Sequence, residues 1–362
     1  MSVMKENKMK KAITLTAVAL AAAAAFGCSG FAWHTEDGCH LLGRTYDMFG
    51  DLSGNNITVI APGYELHTSP SGTGETVTME YGFVGNAIQG SASPIFTDGI
   101  NEKGLMGTLQ NFPGYGHYNT QVSDDNLNLH PAFFVPYMLG TCESVEEVAE
   151  AVTHLNLTDE LIFGANMSVH YIFSDETGEA IIIEPDEDGI TVHRSTIGVM
   201  TNAPGYDWQH TNLKNYVAVS NVHTPPRELL GETVSTFGNG TGGSFGLPGS
   251  YSSPDRFVRL AFAKNFAPLG KNEIDGITRM FDTFSVVYVP DGMLKESADH
   301  DEYERTLCTT AMCAESRTYY FSPAENRRIS AYNVMNALEA MGEGETIALY
   351  PIPIEEDINY VI

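Results

Sequence analysis

Residues 28–48 read CSGFAWHTEDGCHLLGRTYDM, two short runs of aliphatic and aromatic residues broken at Glu36-Asp37-Gly38. Asp-Gly between such runs signals a tight β-hairpin, because the pair tolerates the positive φ that the turn needs. The second arm carries Arg44 and Asp47, and folding back brings both toward Cys28. Their spacing of three puts them on opposite faces of a regular strand, so one of them is expected beyond the strand end or at a bulge. By spacing alone the two read more readily as a solvated pair than as a site.

Upstream, Lys5, Lys8, Lys10 and Lys11 precede an uncharged run from Ala12 to Gly27. A charged start followed by an apolar stretch is the pattern of an export leader. The run falls short of the roughly 20 residues that span a bilayer as a helix. Ala25 and Gly27 supply the small-any-small pattern before Cys28 that a leader peptidase accepts. The expectation is a removable leader over 1–27, one domain over 28–362, and an exported product that is extracellular, cell-surface or periplasmic. A cysteine after a leader also fits a lipoprotein anchor, although such sites usually carry Leu where Ala25 stands. Cleavage after Gly27 would give Cys28 a free α-amine, whose ordinary pKa of about 7.7 to 8.0 lets it take the thiol proton near neutrality. A nearby arginine is expected to lower the thiol pKa.

The chain has 362 residues, with 19 Lys plus Arg against 46 Asp plus Glu and a formal charge of -27. That balance excludes an electrostatic grip on nucleic acid or an anionic membrane, which rests on basic side chains. The five cysteines stand at 28, 39, 142, 308 and 313, with no CxxC pair. Cys308 and Cys313 are a possible bridge. The eleven histidines show no HxxxH or HExxH, so neither a metal site nor a cofactor is expected. Residues 242–246 match GxSxG, and Gly238, Gly240 and Gly243 match GxGxxG, but Leu247-Pro248-Gly249 cannot open the helix that both motifs require. The Gly- and Ser-rich stretch 237–253 is read as a functional loop.

Strand-like segments are expected at 57–61, 76–84, 169–173, 180–184 and 318–321. Helices are expected over 132–155, interrupted at Gly140 and Thr141 and restarting at Ser144 in a capping box with Glu147. Two more are expected, one from Ser253-Pro254-Asp255 with Ser253 as cap and one over 272–284. Runs of strands and runs of helices without strict alternation indicate an α+β chain with antiparallel sheets.

The sequence resembles the choloylglycine hydrolase family of N-terminal nucleophile hydrolases, which contains bile salt hydrolases and penicillin V acylases. The resemblance rests on CSGF at Cys28, on the spacing to Arg44 and Asp47 in GRTYDM, and on four blocks in order. These are FTDGINEKGL from Phe96, NFPGY from Asn111, GVMTNAPGYDWQHTNLKNY from Gly198 and FGLPGSYSSPDRFVRLA from Phe245. It implies a four-layer αββα fold with two stacked antiparallel sheets. It also implies that Cys28 attacks a linear amide and forms a thioester that water hydrolyses. By match to family positions, Asp47 would hold the α-amine and Arg44 would sit beside the thiol. Asn202 would help form an oxyanion hole with Asn111, and Arg256 would complete the polar cluster. Lipidating Cys28 would destroy both thiol and base, so an active member needs a plain cut after Gly27.

The implied partner is a small-molecule amide, and the implied assembly a homotetramer. Asn111 points to conjugated bile acids, since family bile salt hydrolases commonly carry Asn there and penicillin V acylases often Tyr. Penicillin V or another N-acyl compound is the alternative substrate, and a ligand-binding surface lipoprotein without chemistry is the alternative of another class. Phe31, Trp33, Phe49 and Tyr115 are candidate walls of an apolar acyl pocket.

Overall fold

The computed structural model describes residues 27–237 and 242–361. The proposed leader up to residue 26, together with Gly238 and Gly240, lies outside the described residues. Cys28 leads into β1 (Ser29–His34), which pairs antiparallel with β2 (His40–Met48) from Ser29 opposite Thr45 to His34 opposite His40. The turn falls where Asp37-Gly38 placed it, with Gly38 at φ +94°, a conformation that costs glycine nothing.

The hairpin sits inside a six-stranded antiparallel sheet. Its order is Val199–Met200, β1, β2, Arg305–Cys313, Thr318–Pro323, Ser330–Asn333. A second sheet of eight strands, also antiparallel, runs from Gly189–His193 through Ala180–Asp186, Val169–Ser174, Met106–Asn111, Ile95–Asn101, Phe83–Ile88 and Asn55–Ile60 to Ile347–Pro351. The two sheets stack face to face with helices outside each, a four-layer αββα sandwich.

Three cores separate the four layers. Helices Phe134–Thr141 and Val145–Ala151 lay Phe134, Met138, Leu139 and Val148 on Phe83, Phe96, Tyr171 and Phe173 of the eight-stranded sheet. Helices Ser253–Phe266 and Glu273–Phe284 lay Phe257, Leu260, Met280 and Phe284 on Phe31, Trp33 and Leu41 of the other. Between the sheets lie Ala32, Leu42, Tyr46, Met48, Ile57, Val84, Ile172 and Met312. Strand alternation therefore sends Phe31 and Trp33 to the helices and Ala32 to the sheet interface. Gly43 lets the outer helix approach, since a Cβ there would stand 2.7 Å from Met280 Sδ.

Several local expectations shift in the fold. The 76–84 strand breaks into Thr76–Thr78 and Phe83–Ile88, because the N–H groups of Glu80 and Tyr81 donate instead to the Gly140 carbonyl at 2.7 and 3.0 Å. Ser144 caps its helix as expected, accepting from the Glu147 N–H. The cap of the next long helix is Ser252, not Ser253, and Ser253 turns its hydroxyl toward Asn202. Cys308 and Cys313 lie five apart on one strand and face different cores, so they do not pair. All five cysteines are free thiols. Among the described residues no helix is long and apolar enough to cross a membrane.

Candidate active site

The Cys28 side chain is buried at the mouth of the layer between the sheets, on the side where β2 presents Arg44, Tyr46 and Met48. The Arg44 guanidinium is fully buried and donates from Nη2 to Cys28 Sγ at 2.8 Å. Its Nη1 donates to the carbonyls of Thr97 and Leu109 at 3.0 and 2.8 Å, and its Nε to that of Thr45 at 3.2 Å. Behind it stands Asp98, 3.8 Å from Nε, which in turn accepts from the Tyr319 hydroxyl. The Tyr46 ring lies 5.0 Å from the guanidinium carbon. A cation fastened on so many sides keeps its place beside the sulfur.

Burial nevertheless pushes the Cys28 thiol above its ordinary pKa. Arg44 pulls it back and Asp47 opposes that pull. The expected lowering by arginine is thus outweighed, because the whole group is withdrawn from water.

Asp47 occupies the opposite face of β2. Its Oδ1 accepts from Thr306 Oγ1 at 2.6 Å and its Oδ2 from Thr45 Oγ1 at 3.2 Å. Burial lifts its carboxyl to about 7 although Arg256 and Thr306 pull it down. The expected bulge lies not in β2 but in its partner, where the register slips between Thr306 and Cys308. From the two faces of β2, Arg44 bonds the Cys28 sulfur and Asp47 acts on it through its charge.

Arg256, in the first turn of its helix and almost wholly buried, joins the cluster from the outer layer. Nη1 donates to the Cys28 carbonyl at 2.6 Å and to Ser29 Oγ at 2.7 Å, and Nη2 donates to Asn202 Oδ1 at 2.7 Å. Asn202 Nδ2 then donates to the Asn111 carbonyl at 2.8 Å. Cys28, Arg44, Asp47, Asn111, Asn202 and Arg256 therefore meet in one connected cluster.

Sequence reasoning missed several members. Gln110, with its amide oriented to satisfy its neighbours, accepts from the Gly30 N–H and donates to the Thr201 carbonyl at 2.6 Å. Glu304 accepts from the Gly27 N–H at 2.6 Å. A Cβ on residue 27 would stand 2.7 Å from that carboxylate and 3.3 Å from Arg256 Nη2, so a larger residue there would oblige the Glu304 side chain to shift. Below the Asn202 loop, burial disfavours the Glu184 charge, but hydrogen bonds from His170 and His193 bring its carboxyl down to about 2. His170 also bonds the Thr201 carbonyl at 2.8 Å. Asp98 lay in a quoted block, and Tyr46 is two residues from Arg44 on the same face. Nothing in the local pattern marked Gln110 or Glu304.

A narrow apolar cavity of about 50 Å³ opens beside Cys28, walled by Met48, Ile88, Leu109, Ile162 and Met167 with Asn111 at its rim. None of the four expected wall residues lines it. Phe31 and Trp33 face the outer helices, as the alternation along β1 requires. Phe49 packs on His300 beyond the end of β2, and Tyr115, against Phe112, is half exposed. A much larger open groove of about 1570 Å³ runs past His34, His40, Thr196 and Lys264, but it contains no member of the Cys28 cluster.

The family of linear amide C–N hydrolases known as the choloylglycine hydrolases matches residues 28–343, which begin at this same cysteine. A bile salt hydrolase/transferase from Clostridium perfringens is 32% identical over 341 residues, covering 92% of this chain and 99% of that protein. One from Bifidobacterium longum is 30% identical over 305 residues, covering 84% and 94%. A crystal structure of the conjugated bile acid hydrolase from Clostridium perfringens superposes with a TM-score of 0.82 at 30% identity, covering 92% of this chain and all of that one. The penicillin V acylase from Agrobacterium tumefaciens shares the fold, with a TM-score of 0.67 at 23% identity over 88% and 90% of the two chains. With the family matched over most of its length and the fold shared throughout, the chain belongs to the choloylglycine hydrolase family and is a linear amide C–N hydrolase.

Proposed function

We propose that this enzyme is exported, loses residues 1–27, and hydrolyses glycine- or taurine-conjugated bile acids through the Cys28 thiol. The observation that carries the reading is the 2.8 Å hydrogen bond from Arg44 Nη2 to Cys28 Sγ at the wall of an apolar cavity. The freed α-amine of Cys28 takes the thiol proton, and the sulfur bonds to the amide carbonyl carbon while the carbonyl π pair moves to oxygen. Asn111 and the second N–H of the Asn202 amide donate to that oxyanion, each such donor being worth roughly 3 kcal/mol where measured. Collapse expels the amine, which takes the proton back from the α-ammonium. Water, deprotonated by the Cys28 α-amine, then attacks the thioester, and the carboxylic acid leaves as the sulfur takes the proton back from the α-ammonium.

The apolar walls and the bile acid hydrolases among the relatives support a steroid acyl group. The cavity is far below the roughly 300 Å³ of an ordinary ligand site. Its border includes the tight turn from Ile162 to Ala165, closed by reciprocal backbone hydrogen bonds of 3.0 and 3.1 Å. Turnover of glycocholate, taurocholate and penicillin V by one preparation, with mass spectrometry of its N-terminus, tests the reading. Faster cleavage of the bile acid conjugates by protein beginning at an unmodified Cys28 is expected. Cleavage of penicillin V alone would shift the substrate to N-acyl compounds, and a diacylglyceryl group on Cys28 would remove the nucleophile.

A further inference from the structure

Two distant segments meet at the turn end of the β1–β2 hairpin. Cys39 follows the Asp37-Gly38 turn, Cys313 ends the strand that pairs with β2, standing opposite Leu41, and Glu315 follows two residues later in the turn. One ligand atom from each of the three lies within 4.8 Å of the other two. The step from Cys313 Sγ to Glu315 Oε2 is 3.6 Å. A sulfur and an oxygen held at about 2.3 and 2.0 Å by one tetrahedral ion stand roughly 3.5 Å apart, so this pair already has the required spacing.

The carboxylate is oriented from outside the cluster. Glu315 Oε1 lies 2.7 Å from His40 Nδ1, and Oε2 accepts from the His40 backbone N–H at 2.7 Å. Hydrogen bonds of this kind fix a ligating carboxylate. Asp37, held by Thr35 Oγ1, adds negative charge beside Cys39. Arg317 is turned aside, with Nη2 on Glu176 and Nη1 on the Glu315 carbonyl. His40 lines the large open groove, which gives an ion a way in.

We propose that Cys39, Cys313 and Glu315 form a binding site for a thiophilic divalent cation, Zn²⁺ by preference, with water in the fourth position. Two sulfur ligands disfavour Mg²⁺ and Ca²⁺, and two thiols with one carboxylate in tetrahedral reach suit Zn²⁺. Binding exchanges two thiol protons, released to solvent, for two metal–sulfur bonds. The ion would tie the hairpin turn to a strand end some 275 residues away and stabilise the folded chain without touching the amide chemistry. The site escapes a search for HxxxH-type spacing because sheet pairing, not local sequence, assembles it.

Titration of the full chain carrying Cys28→Ser with Co²⁺ tests the proposal, the substitution removing the thiol of the proposed reaction centre. One equivalent is expected to raise a thiolate-to-cobalt charge-transfer band and tetrahedral ligand-field bands, and Zn²⁺ should erase both. Adding Cys39→Ser should weaken binding by about 100-fold or more, and adding Glu315→Gln by about 10-fold. Cys39→Ser in the chain that retains Cys28 should hydrolyse amide at the normal rate, which shows that the variant folds. Absence of the charge-transfer band at one equivalent, or its persistence without Cys39 and Cys313, would overturn the site. A Cys39–Cys313 disulfide, seen as a mass 2 Da lower in which both resist alkylation, would overturn it equally.

Discussion

The two ends of the β1–β2 hairpin each carry a cysteine, about 20 Å apart along the strand, in fields of opposite sign. At the open end Cys28 faces Arg44 and Arg256, two buried guanidiniums held by carbonyls and side-chain oxygens. At the turn Cys39 faces Asp37 and Glu315, with Cys313 beside it. Burial raises all three thiols, Cys313 to about 12, so low dielectric alone does not distinguish them. What distinguishes them is the sign of the charges packed beside each one. A thiol among fixed cations is prepared to carry negative charge during a reaction, whereas thiols among carboxylates are prepared to receive a cation.

The largest expected effect breaks or upholds that contrast directly. Cys28→Ala should lower amide hydrolysis by about 10⁴-fold or more, while Cys39→Ala should leave kcat/KM within about twofold, since it touches nothing in the reacting cluster. Initial rates with one conjugate decide it, and comparable losses at both positions would end the distinction. Next comes the cation itself. Arg44→Met leaves the Asp98 carboxyl without its counter-charge and should destabilise the fold by about 3 kcal/mol or more. Denaturant melts should show that loss, and adding Asp98→Asn should recover part of the stability while the rate stays low.

Asp47 sharpens the comparison through pH. In the folded full-length chain its carboxyl sits at about 7 because burial outweighs its cationic neighbours; unfolded, it returns to about 4. Between those values the folded state keeps a proton that the unfolded state has lost, so stability is full below about pH 4 and declines as pH rises toward 7. Asp47→Asn should flatten that portion of the stability profile, measured by urea unfolding at several pH values. An unchanged slope would mean that Asp47 ionises freely in the fold.

The smallest effect compares two adjacent serines. Ser252→Ala removes a helix cap and should cost about 1 kcal/mol with normal kinetics. Ser253→Ala removes the hydroxyl that donates to the Asn202 carbonyl at 2.9 Å and accepts from its N–H at 3.0 Å, and should lower kcat by up to about tenfold.

These serines also show how far local text carries. SSPDR announces a helix start through Pro and a cap, and the helix is there. Which serine caps and which holds Asn202 depends on a loop some 50 residues earlier. The hairpin was legible because Asp-Gly, flanked by apolar runs, admits few other conformations. The faces of its strands were not legible, because β2 is buried on both sides and shows no polar alternation. Phe31 and Trp33 consequently read as pocket walls when alternation turns them toward helices, and Met48 and Ile162 were overlooked for lack of a local mark.

By itself the sequence determined the turn, the helix starts, the acidic balance and the family, since each depends on neighbours a few residues apart or on blocks of fixed order. Only the tertiary structure decided which charges surround each thiol. Arg256 reaches Ser29 across 227 residues and Thr306 reaches Asp47 across 259, and no local pattern encodes contacts of that span. Their physical cause is the covering of β2 by the second sheet on one face and by helices on the other, which buries Arg44 and Asp47 and obliges each to find partners on segments distant in sequence.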